Sequence, residues 1–300
     1  MKQVIILFIF SILFLSSAWA ASYNLNSYNR VIYVSTAGSD ALGNGTESNP
    51  YATVYKAVDM ASASGDAIYI KPGTYDVTNA GTSYGIDSGL NNKNKNVDFM
   101  GVSNETILYI HGENCSDRDI HFYSGKGFSK IYNMIFVRDS NNRGANYSDS
   151  FFGYGAVKGE IYNSVFKTLR CPSPSMTYNN SGPVEVKVYN SVFDLATNMV
   201  GSYSGANNAM QTINCVTNFS FANDANYYSN NLQNALFDAN YNILSSGWQN
   251  TGIGLDADGT QANIGIYGGL NSWSQPVPEA SNIILLLAGC FIVKMISKKK

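Results

Sequence analysis

Histidine is nearly missing from this 300-residue chain. His111 and His121 are the only two, and they do not have the spacing of metal ligands. Cysteine is scarce as well. Cys115, Cys171, Cys215 and Cys290 are too widely spaced for a disulfide framework or a zinc pattern. The expected role of those in the body is that of small, buried, stacked core residues, with one bridge and a spare thiol as the alternative. Charged residues make up only 13% of the chain, and the basic ones cluster only at Lys298, Lys299 and Lys300. That excludes the electrostatic footprint of a nucleic-acid binder. No phosphate loop occurs. Sustained helical periodicity is almost absent, which leaves little room for a helical bundle.

The two ends are distinctive. Lys2, the apolar stretch from Val4 to Leu15 and the Ala18-Trp19-Ala20 motif follow the order of a secretory leader. The apolar core is shorter than the roughly 20 residues a membrane-spanning helix needs. At the far end, Gln275-Pro276-Val277-Pro278-Glu279-Ala280 precedes an apolar run from Ile283 to Val293 and the terminal lysines. A polar motif, an apolar segment and a basic end suit a tail whose positive cluster stays cytoplasmic. The expected layout is a leader at 1–20, one body at 21–275 and a sorting or transmembrane segment at 276–300. The body holds 14 Lys and Arg against 20 Asp and Glu, a net charge of −6.

What the body does have is repetition. Ile131-Tyr132-Asn133-Met134-Ile135-Phe136 is echoed by Ile161-Tyr162-Asn163-Ser164-Val165-Phe166 and by Val188-Tyr189-Asn190-Ser191-Val192-Phe193, with a weaker copy at Ile213-Asn214-Cys215-Val216. Short β-prone runs recurring every 24 to 30 residues signal a solenoid, each copy one rung. Ile131, Ile161 and Val188 are expected to stack inward, and Phe136, Phe166 and Phe193 to do so after a turn. Asn133, Asn163 and Asn190 suit that turn, because asparagine tolerates the left-handed conformation and its amide can bond to the next rung. The stretches 141–155 and 171–183 read as loops. One helix is expected, with Thr53 as N-cap, Val54, Ala57, Val58 and Ala61 on one face, and Gly65-Asp66 ending it. It precedes an expected first strand at Ala67–Ile70 and would cap the open end of the solenoid.

Tyr33-Val34-Ser35, Gly38-Ser39-Asp40, Gly45-Thr46, Asn49-Pro50-Tyr51-Ala52-Thr53, Ile68-Tyr69-Ile70 and Pro72-Gly73-Thr74-Tyr75 together resemble the N-terminal cap and first rung of pectin-lyase-like parallel β-helix proteins. Asp256 to Thr260 followed by Asn263 to Gly269 resembles the last rung of many members, which usually have Asp where Asn263 stands. The resemblance implies an all-β, right-handed parallel β-helix with an N-terminal capping helix and a polysaccharide-prone groove. The tail resembles the Pro-Glu-Pro C-terminal sorting signal of bacterial exosortase substrates, carried here by Pro278 and Glu279. It departs from that signal at Ala280 and Lys294. An exosortase-like enzyme and the membrane are the partners this implies, with a cell-surface location.

The fold does not choose a reaction. Aligning the repeats brings Lys167 beside Asp194, with Arg138, Asp139 and Arg170 near, as the best polar cluster for a polysaccharide lyase or glycoside hydrolase. A surface ion pair across rungs explains the same residues. Tyr132, Tyr162 and Tyr189 share one repeat position and are candidates for glycan contact, or else plain strand formers. No cofactor is assignable. The only hint of calcium is the Asp256-Ala257-Asp258-Gly259 turn, but Tyr267 stands where an EF-hand places its bidentate Glu. The first reading is therefore a surface-sorted, matrix- or polysaccharide-associated protein without catalysis, and the second an anchored polysaccharide lyase or glycosidase.

Overall fold

The structure is a computed structural model that describes residues 23–77, 90–91, 95–112, 120–121, 128–140, 149–152, 157–169, 174–177, 184–195, 211–218, 228–238, 241, 243–245, 247–256 and 259–268. The leader at 1–20, the tail with Pro278 and Glu279, and Cys115, Cys171, Cys290, Arg170 and Asp258 lie outside these residues. Among the described residues, no helix is long and apolar enough to cross a membrane.

The chain opens with β1 (Arg30–Val34), α1 (Val54–Met60), β2 (Ser64–Ile70), β3 (Gly73–Asp76), β4 (Leu90–Asn91) and β5 (Asn96–Met100). It continues through β6 (Thr106–Gly112), β7 (Ile120–His121), β8 (Ser129–Tyr132), β9 (Ile135–Ser140), β10 (Asp149–Phe152) and β11 (Val157–Tyr162). Then come β12 (Val165–Thr168), β13 (Pro174–Thr177), β14 (Val184–Tyr189), β15 (Val192–Asp194), β16 (Gln211–Ile213), β17 (Val216–Thr217) and β18 (Tyr228–Ser229). These strands form three sheets, in the orders β1-β2-β5-β8-β11-β14-β16-β18, β3-β6-β9-β12-β15-β17 and β4-β7-β10-β13. Every pairing between named strands is parallel. Each central turn of the chain gives one strand to each sheet, which is the architecture of a parallel β-helix.

The repeat works as its residues suggest. Ile131, Ile161 and Val188 are in register and fully buried, and Phe136, Phe166 and Phe193 stack with ring centroids 5.3 and 4.9 Å apart. Burying one such phenylalanine contributes on the order of 1.5–3 kcal/mol. Asn133, Asn163, Asn190 and Asn214 all take positive φ, between 47° and 55°, and Asn230 adds a further rung at 53°. The backbone N–H groups of Asn133, Asn163 and Asn190 reach the carbonyl of the next rung, as from Asn163 to Tyr189.

Three expectations need correction. First, 141–155 and 171–183 are not only loops, because β10 and β13 lie within them and build the third sheet. Strands of four residues are too short to show a clear period of two. Second, α1 stops at Met60, and Ala61 is already extended with ψ 150°. The serine- and glycine-containing segment after it favours extended chain, and Gly65 (φ +84°) sits inside β2. The first strand is β1, so α1 lies between the first two strands. Thr53 does cap the helix, accepting from Lys56 N at 3.1 Å. Val54, Ala57 and Val58 plug the core against Ile32, Val34, Ile68 and Ile70. The free edge of β1 is covered instead by loop backbone, with Tyr33 N donating to Gly45 O and Tyr51 N to Tyr33 O.

Third, the closing segment does not stack as a last rung. It folds back over the outer face of the second sheet. Gly265 N donates to Asn214 O, and Asn163 Nδ2 donates to the carbonyls of Ile266 and Gly268 at 3.2 and 2.6 Å. Ala235, Tyr241, Ile243, Ile264, Ile266 and Tyr267 thereby bury Val165, Val192 and Val216 in a second apolar cluster. Gly265 has φ +82°, and a Cβ there would come 2.8 Å from Val216 Cγ2, so both conformation and space ask for glycine.

Candidate functional site

Two outward faces carry the candidate residues. On the second sheet, the ladder places Lys167 opposite Val137 on one side and Asp194 on the other. Lys167 Nζ lies 3.2 Å from Asp194 Oδ2 and 5.5 Å from the centre of the Tyr241 ring. Arg138 does not join them. It is in register with Thr168, one residue on from Lys167, and its side chain is 1% exposed. Successive residues of a strand face opposite sides, so Val137 and Lys167 face outward while Arg138 shares the inner side with Phe136. Asp139 faces outward and accepts from the Tyr109 hydroxyl at 2.9 Å.

The electrostatics of Lys167 bear on what it can do. Burial works to lower its pKa, but Tyr241 and Asp194 outweigh burial, and the net shift is upward. A lysine acting as a general base needs its pKa brought down toward about 7–8. Lys167 is instead held as a cation at neutral pH. It can donate hydrogen bonds, not take a proton from a sugar carbon.

Beside it opens a cleft of about 470 Å³, lined by Thr74, Asn104, Ile107, Tyr109, Ile135, Val137, Lys167, Leu169 and Tyr241. Ile107 and Ile135 continue the same outward column as Val165, Val192 and Val216. The fold-back segment covers that column at its later rungs and reaches the cleft with Tyr241. Strand alternation makes the floor flat and apolar, while Thr74, Asn104 and Lys167 give polar edges.

On the first sheet, Tyr132, Tyr162 and Tyr189 do form an outward column, with centroids 5.2 and 4.8 Å apart and rings within 13° of parallel. Tyr33 and Tyr69 occupy the same column nearer the start, and Tyr23 packs edge-on against both Tyr69 and Tyr132. The stacked rings cover one another's faces. What they offer to solvent is edges and hydroxyls, and the Tyr162 hydroxyl is engaged by Glu160 at 2.8 Å. Burial first, then that carboxylate, holds the Tyr162 phenol protonated. A neighbouring column alternates in charge through Asp98, Lys130, Glu160 and Lys187.

His111 and His121 fall in β6 and β7. The acidic turn at Asp256 closes on itself, with Gly259 N donating to Asp256 O and Asn263 Nδ2 to Asp256 Oδ2 at 2.9 Å. Among the described residues, no three His, Cys, Asp or Glu side chains converge as metal ligands. Cys215 is a buried free thiol, and burial pushes its pKa up to about 12.

Repeat alignment found Lys167 and Asp194 but missed the cleft beside them. One signal for it was present. Ile135-Phe136, Val165-Phe166 and Val192-Phe193 are consecutive apolar pairs, and such pairs bury both faces of a strand. Tyr241 carried no signal, since it arrives from a segment distant in sequence.

No family model matches the chain, and no curated protein matches it in sequence. Among solved structures it is similar to a rhamnogalacturonan lyase, at 15% identity and a TM-score of 0.44. The similarity covers 68% of this chain, which spans 58% of the length of that one.

Proposed function

We propose that this chain is an exported, surface-sorted parallel β-helix that associates with polysaccharide without cleaving it. The observation that carries this reading is the state of Lys167. It is a cation paired with Asp194 at the edge of an apolar cleft rimmed by Tyr109 and Tyr241. Flat apolar floors with aromatic rims and a few polar donors suit sugar rings, whose C–H faces pack on apolar surface while their hydroxyls bond at the edges. The Tyr132, Tyr162 and Tyr189 column adds a second glycan-facing surface through its ring edges and hydroxyls. The leader at 1–20 and the tail at Pro278 and Glu279 support export and sorting, with an exosortase-like enzyme and the membrane as partners.

Incubation of the full chain with neutral and uronate polysaccharides tests the reading. The expected result is retention on an insoluble polysaccharide with no new reducing ends and no ultraviolet-absorbing unsaturated product. Product formation that disappears in Lys167→Ala would make the chain a lyase or hydrolase instead.

A further inference from the structure

We infer that the outer side of the fold-back segment is a lipid-docking face, seated on the bilayer that the tail enters. This rests on the reading of the tail as a membrane segment, and adds a second contact between the body and that membrane.

The face is defined by exposed aliphatic side chains. Apolar residues scattered singly over a surface need no explanation, but a concentration of them marks an interaction site. Of the six exposed leucines and isoleucines among the described residues, Leu236, Leu244, Ile253 and Leu255 belong to this one segment. They form two pairs. Phe237 and Ile243 bridge antiparallel and Leu244 N donates to Leu236 O at 2.7 Å, so Leu236 and Leu244 stand opposite each other. The alternation that turns Ala235 and Ile243 into the apolar cluster turns these two outward. Ile253 and Leu255 are two residues apart, where Leu255 bridges Gln261, and so leave the backbone on one side.

The two pairs hang from the same rung. Ala235 N donates to Thr217 O, and Ile253 N donates to Asn214 Oδ1 at 2.9 Å. Those anchors are three residues apart on one rung, a span of about 10 Å.

The course of the chain identifies the occupant. Gly265 N donates to the backbone of Asn214, the residue that also holds Ile253, and Gly268 O accepts from Asn163 Nδ2. The chain therefore runs on toward the tail from the segment that carries the exposed pairs. The apolar run begins at Ile283, 15 residues after Gly268, and a chain of that length spans at most about 50 Å. With the run in a bilayer, the tether holds the four side chains at high local concentration beside lipid, and two weak attachments become one firm one. No Lys or Arg occurs between Lys187 and Lys294, so the segment itself supplies no cation for anionic headgroups and its contact rests on apolar burial. A second copy of the chain is a poorer fit, because a stable protein interface takes roughly 20–30 residues a side.

The test uses the full chain reconstituted in phosphatidylcholine vesicles doped with a diazirine-bearing phosphatidylcholine, with lipid adducts mapped by mass spectrometry after illumination. The expected result is adducts on Leu236, Leu244, Ile253 and Leu255 as well as on 283–293. Leu42, 83% exposed in the loop over β1, is the internal control and should carry about tenfold fewer. Leu236→Ser combined with Leu244→Ser changes two exposed positions and should leave the thermal melt almost unmoved. It should lower the adducts at Ile253 and Leu255 by about tenfold, since half of the apolar contact is gone. Unchanged adducts there overturn the inference. Adducts confined to 283–293, or as frequent at Leu42 as on the four, also overturn it, whether the face is then bare or covered by a second copy, and leave the membrane reading of the tail standing. No adducts on 283–293 overturn that reading itself.

Discussion

At the scale of single residues, the asparagines of the turn do two separate jobs. Their positive φ lets the chain pass from the first sheet to the second, and their amides choose what the turn is tied to. Asn190 accepts from Asn214, which accepts from Asn230, each at 3.1 Å, so the later rungs form a ladder. Asn163 instead holds the carbonyls of Ile266 and Gly268, and Asn133 donates to the Tyr23 hydroxyl at 2.7 Å. Asn163→Gly keeps the backbone freedom and loses only the amide, whereas Asn163→Ala loses both. Alanine is expected to destabilise the fold by about 2–4 kcal/mol, and glycine by about 1 kcal/mol less, in denaturant unfolding. Equal losses would show that the left-handed turn contributes nothing.

A second residue-scale expectation concerns acid. Asp66 is 2% exposed; burial raises its pKa, but the Ser62 N–H and the Arg30 guanidinium at 2.7 Å outweigh burial and bring it below 3.8. A carboxyl depressed in the folded state contributes stability that is present above its unfolded pKa and lost as pH falls through the folded value. Stability should therefore drop below about pH 4, and Asp66→Asn should flatten that drop in a series of acid unfolding curves. An unchanged acid limb would place its origin elsewhere.

At the scale of elements, the second sheet is unlike the first. On the first sheet the outer face is wet, with Lys187 and Glu185 exposed and the tyrosines half-buried. On the second, Val165, Val192 and Val216 point outward and yet are fully buried, because the fold-back segment lies on them. Val192→Asp should thus behave as a core substitution, burying a charge without a partner and destabilising by several kcal/mol. Lys187→Asp, on the outer face of the first sheet, should shift stability by no more than about 1 kcal/mol. A thermal melt of the two variants separates these outcomes. If Val192→Asp were as mild as Lys187→Asp, the segment would not be a true cover. The same cover sets the site, since the cleft opens where the apolar column emerges from under the segment at Tyr241.

At the scale of the whole molecule, the period of the chain and the chemistry of its turns were legible in advance. A tyrosine and an asparagine at one repeat position, an aliphatic residue before them and a phenylalanine after them, give a rung whose stacking follows from strand geometry alone. Lys167 and Asp194 could be paired for the same reason, because equivalent positions on adjacent rungs must meet. Arg138 stands in the expected register opposite Thr168, but it follows the outward Val137 by one residue, and successive residues of a strand face opposite sides of the sheet. Local pattern thus determined the solenoid, its asparagine turns and the ion pair. Only the tertiary structure decided that the chain after the rung of Tyr228–Leu232 folds back rather than adding another, that the outer face of the second sheet is half covered, and that a cleft is left beside Lys167. Those outcomes depend on contacts between residues up to 105 positions apart, such as Asn163 and Gly268, and no local period carries that information.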